Sequence, residues 1–397
     1  MSETRILQIL DKPPGSGGTR YFVEDCRRAW EAAGAVVATW RYGGAESEVP
    51  PTVHLPAAFA DTSGLATMMR AVRPDVVHLH AGFTTLPPPV IAALADHAPV
   101  VGVLHDVSPF CFWGTRLREP DGQFCGRVQT MGCVVEGCYR PPGSGPWPRT
   151  IARVLRRLAR WSLWRALHAL VVPSGYLRNL AVAHGASADR VHIVPHFANL
   201  PEPAPHTAPR PPHFLYVGRL VPTKGADCFV EALLRLRPGA WQARIVGDGP
   251  EGEVLRARLG AAGLGAQVRF LGEIDRNALG RHYSEARCLV FPSRQPEAFG
   301  LVGIEALAQS CPVVGVPAGG ASEWLVEGRG SVPVPVDDPA ALAAALTEAL
   351  RNPEGMAVLG AAGRALVAER FTAARHLAAM REVHVGLGIA PSRPEAA

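Results

Sequence analysis

The sequence lacks any run of 18 or more apolar residues, so no stretch of it reads as a membrane-spanning helix. Its start, Met1-Ser-Glu-Thr-Arg-Ile6, has neither the basic nor the apolar region of an export signal, and a cytoplasmic protein is expected. Aromatic residues are sparse, at 7%, and do not interleave with basic residues along a strand. No zinc finger or RNA-recognition module is legible either, which argues against a nucleic-acid partner. Acidic residues are missing from Gly137 to Ala188, where eight arginines fall, although the net charge is only +5. A local excess of one sign suits an anionic surface. What the chain does have is length and apolar content: 397 residues, 48% hydrophobic, enough for two soluble domains with a core each. Its eight cysteines, without an export signal, are expected as thiols or metal ligands rather than a disulfide framework.

Short apolar strands alternate with helical stretches from end to end, the pattern of parallel sheets covered by helices on both faces. Strands are predicted at Arg5–Leu10, Ala35–Trp40, Asp75–His80, Val100–His105, Ala169–Val172 and Val191–Val194. A second series follows at His213–Val217, Trp241–Gly247, Gln267–Phe270, Arg287–Phe291 and Pro312–Val316. Between the two series, residues 200–212 carry six prolines in thirteen positions, which excludes helix and inner strand and reads as a linker. The chain thus divides into domains over 1–199 and 213–372, a helical stretch over 373–390, and a polar tail, 391–397, expected to fray.

Two segments of the second domain carry the chemistry. In Pro292-Ser-Arg-Gln-Pro-Glu-Ala-Phe-Gly-Leu-Val-Gly-Ile-Glu305, a strand feeds a helix, with Glu297 in the loop and Glu305 about one turn into the helix. Backbone N–H groups near Phe299, Gly300 and Leu301 then point from the helix N-terminus toward a phosphate-like anion. In Leu215-Tyr-Val-Gly-Arg-Leu-Val-Pro-Thr-Lys-Gly225, a strand ends at Gly218 and two cations, Arg219 and Lys224, precede the next helix. An open parallel sheet takes ligands at the carboxyl ends of its strands, so both segments can face one crevice. Cations and amides for a diphosphate, beside carboxylates for hydroxyls, are what a nucleotide diphosphate-sugar asks for.

Gly218-Arg-Leu, Lys224-Gly225, Val246-Gly-Asp-Gly-Pro250, the pair Glu297 and Glu305, and Gly319-Gly-Ala-Ser-Glu323 stand in the order of the signature of retaining glycosyltransferases of family 4. The chain resembles that family over nearly its whole length. The resemblance implies an α/β protein of GT-B fold, two Rossmann-like doubly wound domains facing a central cleft. The first would hold the acceptor and the second the donor, with the last helix crossing back onto the first. It implies transfer, with retention, of a hexose or N-acetylhexosamine from a nucleotide diphosphate-sugar such as a UDP-sugar to a hydroxyl of a saccharide, lipid-linked or natural-product acceptor. Arg219 and Lys224 would stabilise the leaving diphosphate, Glu297 would orient sugar hydroxyls and Glu305 would take the ribose. Glu273 and Ile274 would hold the base through the backbone, and Glu323 would support the site. Gly17 and Gly18, in the loop Lys12–Thr19, would close over the diphosphate; otherwise that loop is a flexible turn with Thr19 as N-cap. His105 would contact the donor sugar through its backbone or its ring. No Asp-x-Asp occurs, so protein cations replace the usual metal and no cofactor is expected for catalysis. A sugar-nucleotide epimerase on the same fold and a non-catalytic nucleotide-sugar-binding module are the alternatives.

Three further features need weighing. His78 and His80 share one face of their strand; His80, nearer its end, is an acceptor-side candidate and His78 a satisfied core histidine. The stretch Arg149–Arg165 is helical in period, with Ile151, Val154, Leu155, Leu158 and Trp161 on one face and Arg153, Arg156, Arg157 and Arg160 on the other. It reads either as a helix on anionic lipid, placing the protein peripherally at the inner face of the membrane, or as a packed helix with a solvated basic face. Cys111, Cys125, Cys133 and Cys138 fall in a Gly- and Pro-rich excursion over 106–148, with gaps of thirteen, seven and four residues. A structural zinc, independent thiols and disulfides all remain open for them.

Overall fold

The computed structural model describes residues 3–10, 17–41, 63–80, 86, 88–118, 122–135, 138, 155, 164, 166–200, 210–237 and 239–389. The chain divides into two compact units, Met1–His196 with Ala373–Ala397, and Phe197–Thr372. Each holds a six-stranded sheet in which every pairing is parallel. The first sheet runs in the order β2-β1-β3-β4-β5-β6, with β1 Arg5–Leu10, β2 Val36–Arg41, β3 Val76–His80, β4 Val100–Val103, β5 Ala169–Val172 and β6 Val191–Ile193. The second runs β12-β11-β10-β7-β8-β9, with β7 His213–Val217, β8 Gln242–Val246, β9 Val268–Gly272, β10 Cys288–Phe291, β11 Val313–Gly315 and β12 Ser331–Pro333.

Parallel strands need crossovers, and the crossover helices cover both faces, so inner strands are apolar on both sides. Accordingly β3, β4, β5 and β10 are buried at every residue. In the second unit one face of the sheet packs with Phe214, Phe229 and Trp241, and the other with Phe299, Trp324 and Phe371. In the first unit the helix Ala373–Gly386 contributes Leu377, Met380 and Val383 to a core with Ile6, Val76, Val101 and Val171.

Three expectations are corrected, and one strand was not anticipated. The helix after β1 starts at Gly17, so Thr19 lies inside its first turn rather than capping it. The ladder of β4 stops at Val103, which leaves His105 in the following loop. β12 has no apolar run to announce it: three residues long, at the sheet edge, it ends in proline, which only an edge tolerates. The first unit ends at His196, three residues before the expected boundary. Residues 201–209 of the expected linker over 200–212, the tail and most of the stretch 149–165 lie outside the described residues. Leu155, expected on the apolar face of that stretch, is 53% exposed.

Candidate active site

The chain of the second unit runs outward from β7 to β8 and β9, then returns to place β10 on the opposite side of β7. The order therefore reverses between β7 and β10, and at such a switch point the loops leaving adjacent strands diverge and open a crevice at the sheet's carboxyl edge. The loop after β7 carries Gly218, Arg219 and Lys224; the loop after β10 carries Glu297. The fold brings these two sequence segments together at the one place where an open sheet is made to bind.

Local chemistry fixes them there. Lys224 closes a short 3-10 turn, Pro222–Lys224, and the next residue, Gly225, sits at φ +69°. A Cβ on Gly225 would lie 2.1 Å from the Pro292 carbonyl oxygen, so only glycine permits the contact of the two loops. Gly319, at φ +65°, makes the third approach: its Cβ would lie 2.6 Å from the Glu297 carbonyl oxygen, and Gly320 N donates to that oxygen at 2.7 Å. With the backbones this close, Lys224 Nζ donates to Glu297 Oε1 at 2.5 Å and Ser293 Oγ to the same oxygen at 2.7 Å. Buried Tyr216 donates to the Arg219 carbonyl at 3.1 Å. Burial, with Glu297 nearby, pushes the Tyr216 phenol up, so it remains a donor. The Arg219 side chain is exposed and makes no ion pair among the described residues.

The helix Leu301–Ala308 starts behind Gly300, at φ +89°, with no side-chain cap, so its first N–H groups are open to an anion. Trp324 fixes that helix start, its indole N–H donating to the Phe299 carbonyl at 2.6 Å. Glu305, inside the helix and buried, already has protein partners. Arg276 Nη2 donates to Oε1 at 2.8 Å and the Tyr283 hydroxyl to Oε2 at 3.2 Å. The buried carboxylate thus has two protein partners; a carboxylate offers further lone pairs, so ribose hydroxyls remain compatible. Glu273 is exposed and Ile274 half-buried just beyond β9. Glu323 faces Arg370 at 3.6 Å.

The first unit holds a chain of imidazoles. His80 Nδ1 lies 3.0 Å from His105 Nε2, and His105 Nδ1 lies 3.2 Å from His196 Nε2, the three rings stacked in sequence. Both ring nitrogens of His105 are thus taken within the protein by neighbouring imidazoles. His78, read as a core histidine, bonds His384 of the last helix at 2.8 Å. Desolvation holds His80 down to about 3, and His376 and His384 to about 4, so all are neutral at pH 7. Gly17 and Gly18 open the helix Gly17–Ala32, and the rest of their loop, 11–16, lies outside the described residues.

None of the eight cysteines is in a disulfide. Cys111, Cys125, Cys133 and Cys138 line one cavity together with Phe110 and Arg116. As placed, no three His, Cys, Asp or Glu side chains among the described residues form a group that could hold a metal ion. Nor is any described helix long and apolar enough to cross a membrane. The residues that sequence reasoning missed are Arg276, Tyr283, Ser293 and Arg294. The last two stand inside the segment from Pro292 to Glu305, where the polar run before Glu297 was their only signal.

Residues 17–196 match the family described as "Glycosyl transferase 4-like domain" and residues 202–366 the family "Glycosyl transferases group 1". A GDP-mannose-dependent alpha-(1-6)-phosphatidylinositol monomannoside mannosyltransferase of Mycolicibacterium smegmatis is 32% identical over 210 residues, 48% of this chain and 55% of that protein. A D-inositol 3-phosphate glycosyltransferase of Jonesia denitrificans is 29% identical over 270 residues, 62% of each chain. The chain matches only 55% to 62% of the length of these two relatives. Among solved structures, sucrose-phosphate synthase from Thermosynechococcus elongatus superposes with a TM-score of 0.71 at 20% identity, covering 97% of this chain and 99% of that one. HepE of Anabaena, solved with UDP-glucose, does so at 0.64 and 16% identity, covering 97% and 99%. At such identities the likeness concerns the fold. The two family matches agree with it in architecture and with the motifs around Lys224 and Glu297 in position: the chain belongs to the group 1 glycosyltransferases, with the GT-B fold.

Proposed function

We propose that the chain transfers a hexose or N-acetylhexosamine, with retention and without a catalytic metal, from a nucleoside diphosphate-sugar to an acceptor hydroxyl. The observation that carries this reading is the 2.5 Å pairing of Lys224 with Glu297 at the switch point of the second unit, beside Arg219 and the uncapped helix start at Gly300 and Leu301. Lys224, Arg219 and the helix N–H groups supply positive charge where a diphosphate departs with growing negative charge. Glu297 accepts from sugar hydroxyls, and Glu305 from the ribose. Same-face attack through an oxocarbenium-like state, with the leaving diphosphate taking the acceptor proton, needs no protein nucleophile. The names of the two curated relatives describe glycosyl transfer, and the Anabaena neighbour was solved with UDP-glucose. Saccharide, lipid-linked and natural-product acceptors fit the reading. Both relatives' names include inositol, which adds inositol phosphates to the acceptor panel. Sedimentation with anionic vesicles tests a membrane contact through Arg153, Arg156, Arg157 and Arg160.

Incubation of the protein with UDP- and GDP-sugars and this acceptor panel tests the reading, with transfer expected and EDTA without effect. Arg219→Ala and Lys224→Ala should each lower turnover by about 10²–10³, the typical cost of one electrostatic stabiliser. An isomerised donor would make the protein an epimerase, and binding without turnover a binding module. Near-normal turnover in both variants would remove the clamp.

A further inference from the structure

We propose that Arg294 is a positioning residue for the donor site, holding the Lys224 and Glu297 loops in register without touching the substrate. The inference rests on the reading of that site as the donor's.

A guanidinium carries five N–H donors in a rigid planar fork. In Arg294 all five are used. Nε donates to Asp337 Oδ1 at 2.9 Å, and Nη2 to the same oxygen at 2.6 Å and to Asp227 Oδ2 at 2.7 Å. Nη1 donates to Asp227 Oδ1 at 2.6 Å and to the Pro222 carbonyl at 2.7 Å. No donor remains for a phosphate. This separates Arg294 from Arg219, an exposed cation whose fork is not engaged in an ion pair.

The acceptors say what is being held. Pro222 begins the 3-10 turn that ends in Lys224, and Asp227 stands in the first turn of the following helix, Ala226–Arg235. Both belong to the loop and helix start that follow β7, whereas Arg294 belongs to the loop after β10. The main chain closes the same seam: Arg294 N and Gln295 N both donate to the Thr223 carbonyl, at 3.0 and 3.1 Å. Thr223 is the neighbour of Lys224, and Glu297 follows Arg294 by three residues. The reach between Lys224 and Glu297 is therefore set by a seam whose side-chain bolt is Arg294. Asp337 extends the hold to a third segment. It lies at φ +54°, a conformation uncommon outside glycine, immediately before Asp338, the N-cap of the helix Pro339–Arg351. A bidentate Arg–carboxylate pair is directional, so lysine keeps the charge at this point and loses the fork.

The test is a double-mutant cycle on the full chain, reading kcat, KM, the affinity for UDP and GDP by calorimetry, and the melting temperature. Arg294→Gln and Arg294→Lys are each expected to lower kcat by about 10- to 100-fold, the scale on which a misplacement near 1 Å acts. Melting should move by only a few degrees. In a Lys224→Ala background the same two changes should cost less than about threefold, because the pair they position is already gone. The proposal is overturned by normal kcat in both variants, by restoration of activity with lysine, or by a full additional loss in the Lys224→Ala background. If Arg294→Gln does not fold, Arg294→Lys carries the cycle alone. A wild-type protein that neither binds UDP or GDP nor turns over any donor fails before a variant is made, and that failure belongs to the function reading, with which this proposal falls.

Discussion

Glu297 and Glu305 flank the same helix start but are held by different partners, and that difference sets their expected roles. Glu297 receives one lysine and one serine at the mouth of the switch point, whereas Glu305 is buried against Arg276 and Tyr283. Glu297→Gln should lower turnover while UDP or GDP affinity stays near wild type. Glu305→Gln should weaken that affinity and also cost stability, on the order of 3 kcal/mol, because it removes the carboxylate that pairs with Arg276 in a half-buried place. Calorimetric titration and urea unfolding of both variants separate the roles; loss of affinity in Glu297→Gln alone would reverse them. The cysteines divide in the same manner. Burial pushes up the thiols of Cys26, Cys228, Cys288 and Cys311, to about 11 for Cys228 and Cys311, so these should react with a disulfide reagent only after unfolding. Cys111, Cys125, Cys133 and Cys138, half-buried around one cavity, should react in the native protein. Should they react only after a zinc chelator is added, they hold a metal.

At the scale of elements, Trp324 is the pin of the helix that presents Glu305. It is fully buried, meets Phe291 edge-on at 5.3 Å and satisfies the Phe299 carbonyl at the helix start. Trp324→Ala should cost about 3–5 kcal/mol through its cavity, read as a lower denaturant midpoint at unchanged slope. Which elements could be read in advance follows from the same packing. Arg5–Leu10, Ala169–Val172 and His213–Val217 were legible to the residue because strands covered on both faces are mostly apolar runs. The short edge strand Ser331–Pro333 has no such run and was not. In the site, Lys224 and Glu297 were legible because both lie in loops leaving strands next to glycine. Arg276 and Tyr283 were not, since their meeting with Glu305 is made by two helices packing and leaves no trace in local spacing. His105 was legible as a site residue, but the imidazoles that occupy both its nitrogens come from 25 residues before it and 91 after it.

At the scale of the whole molecule, neutral buried histidines gather in the first unit. His78, His80, His184, His196, His376 and His384 are all pushed below their ordinary range by burial. The folded state leaves them unprotonated, while the unfolded chain takes up protons near pH 6.5. Stability is therefore full above pH 6.5 and falls below it, by up to about 1.4 kcal/mol per pH unit for each histidine, until the folded values are reached, about 3 for His80 and about 4 for His184, His376 and His384. Calorimetric scans from pH 7 to pH 5 should show the first unit losing melting temperature more steeply than the second; parallel shifts would refute this. The last helix adds a constraint in time. Leu377, Met380, Val383 and His384 complete the core of the first unit, yet they are the last part of the described chain to be synthesised. On the ribosome, where folding ordinarily proceeds from the N-terminus, this unit must wait with an open core until the second unit and the last helix have emerged. The protein made first is the protein finished last, and a nascent chain halted before residue 373 should bind holding chaperones through its first unit even when its second is native.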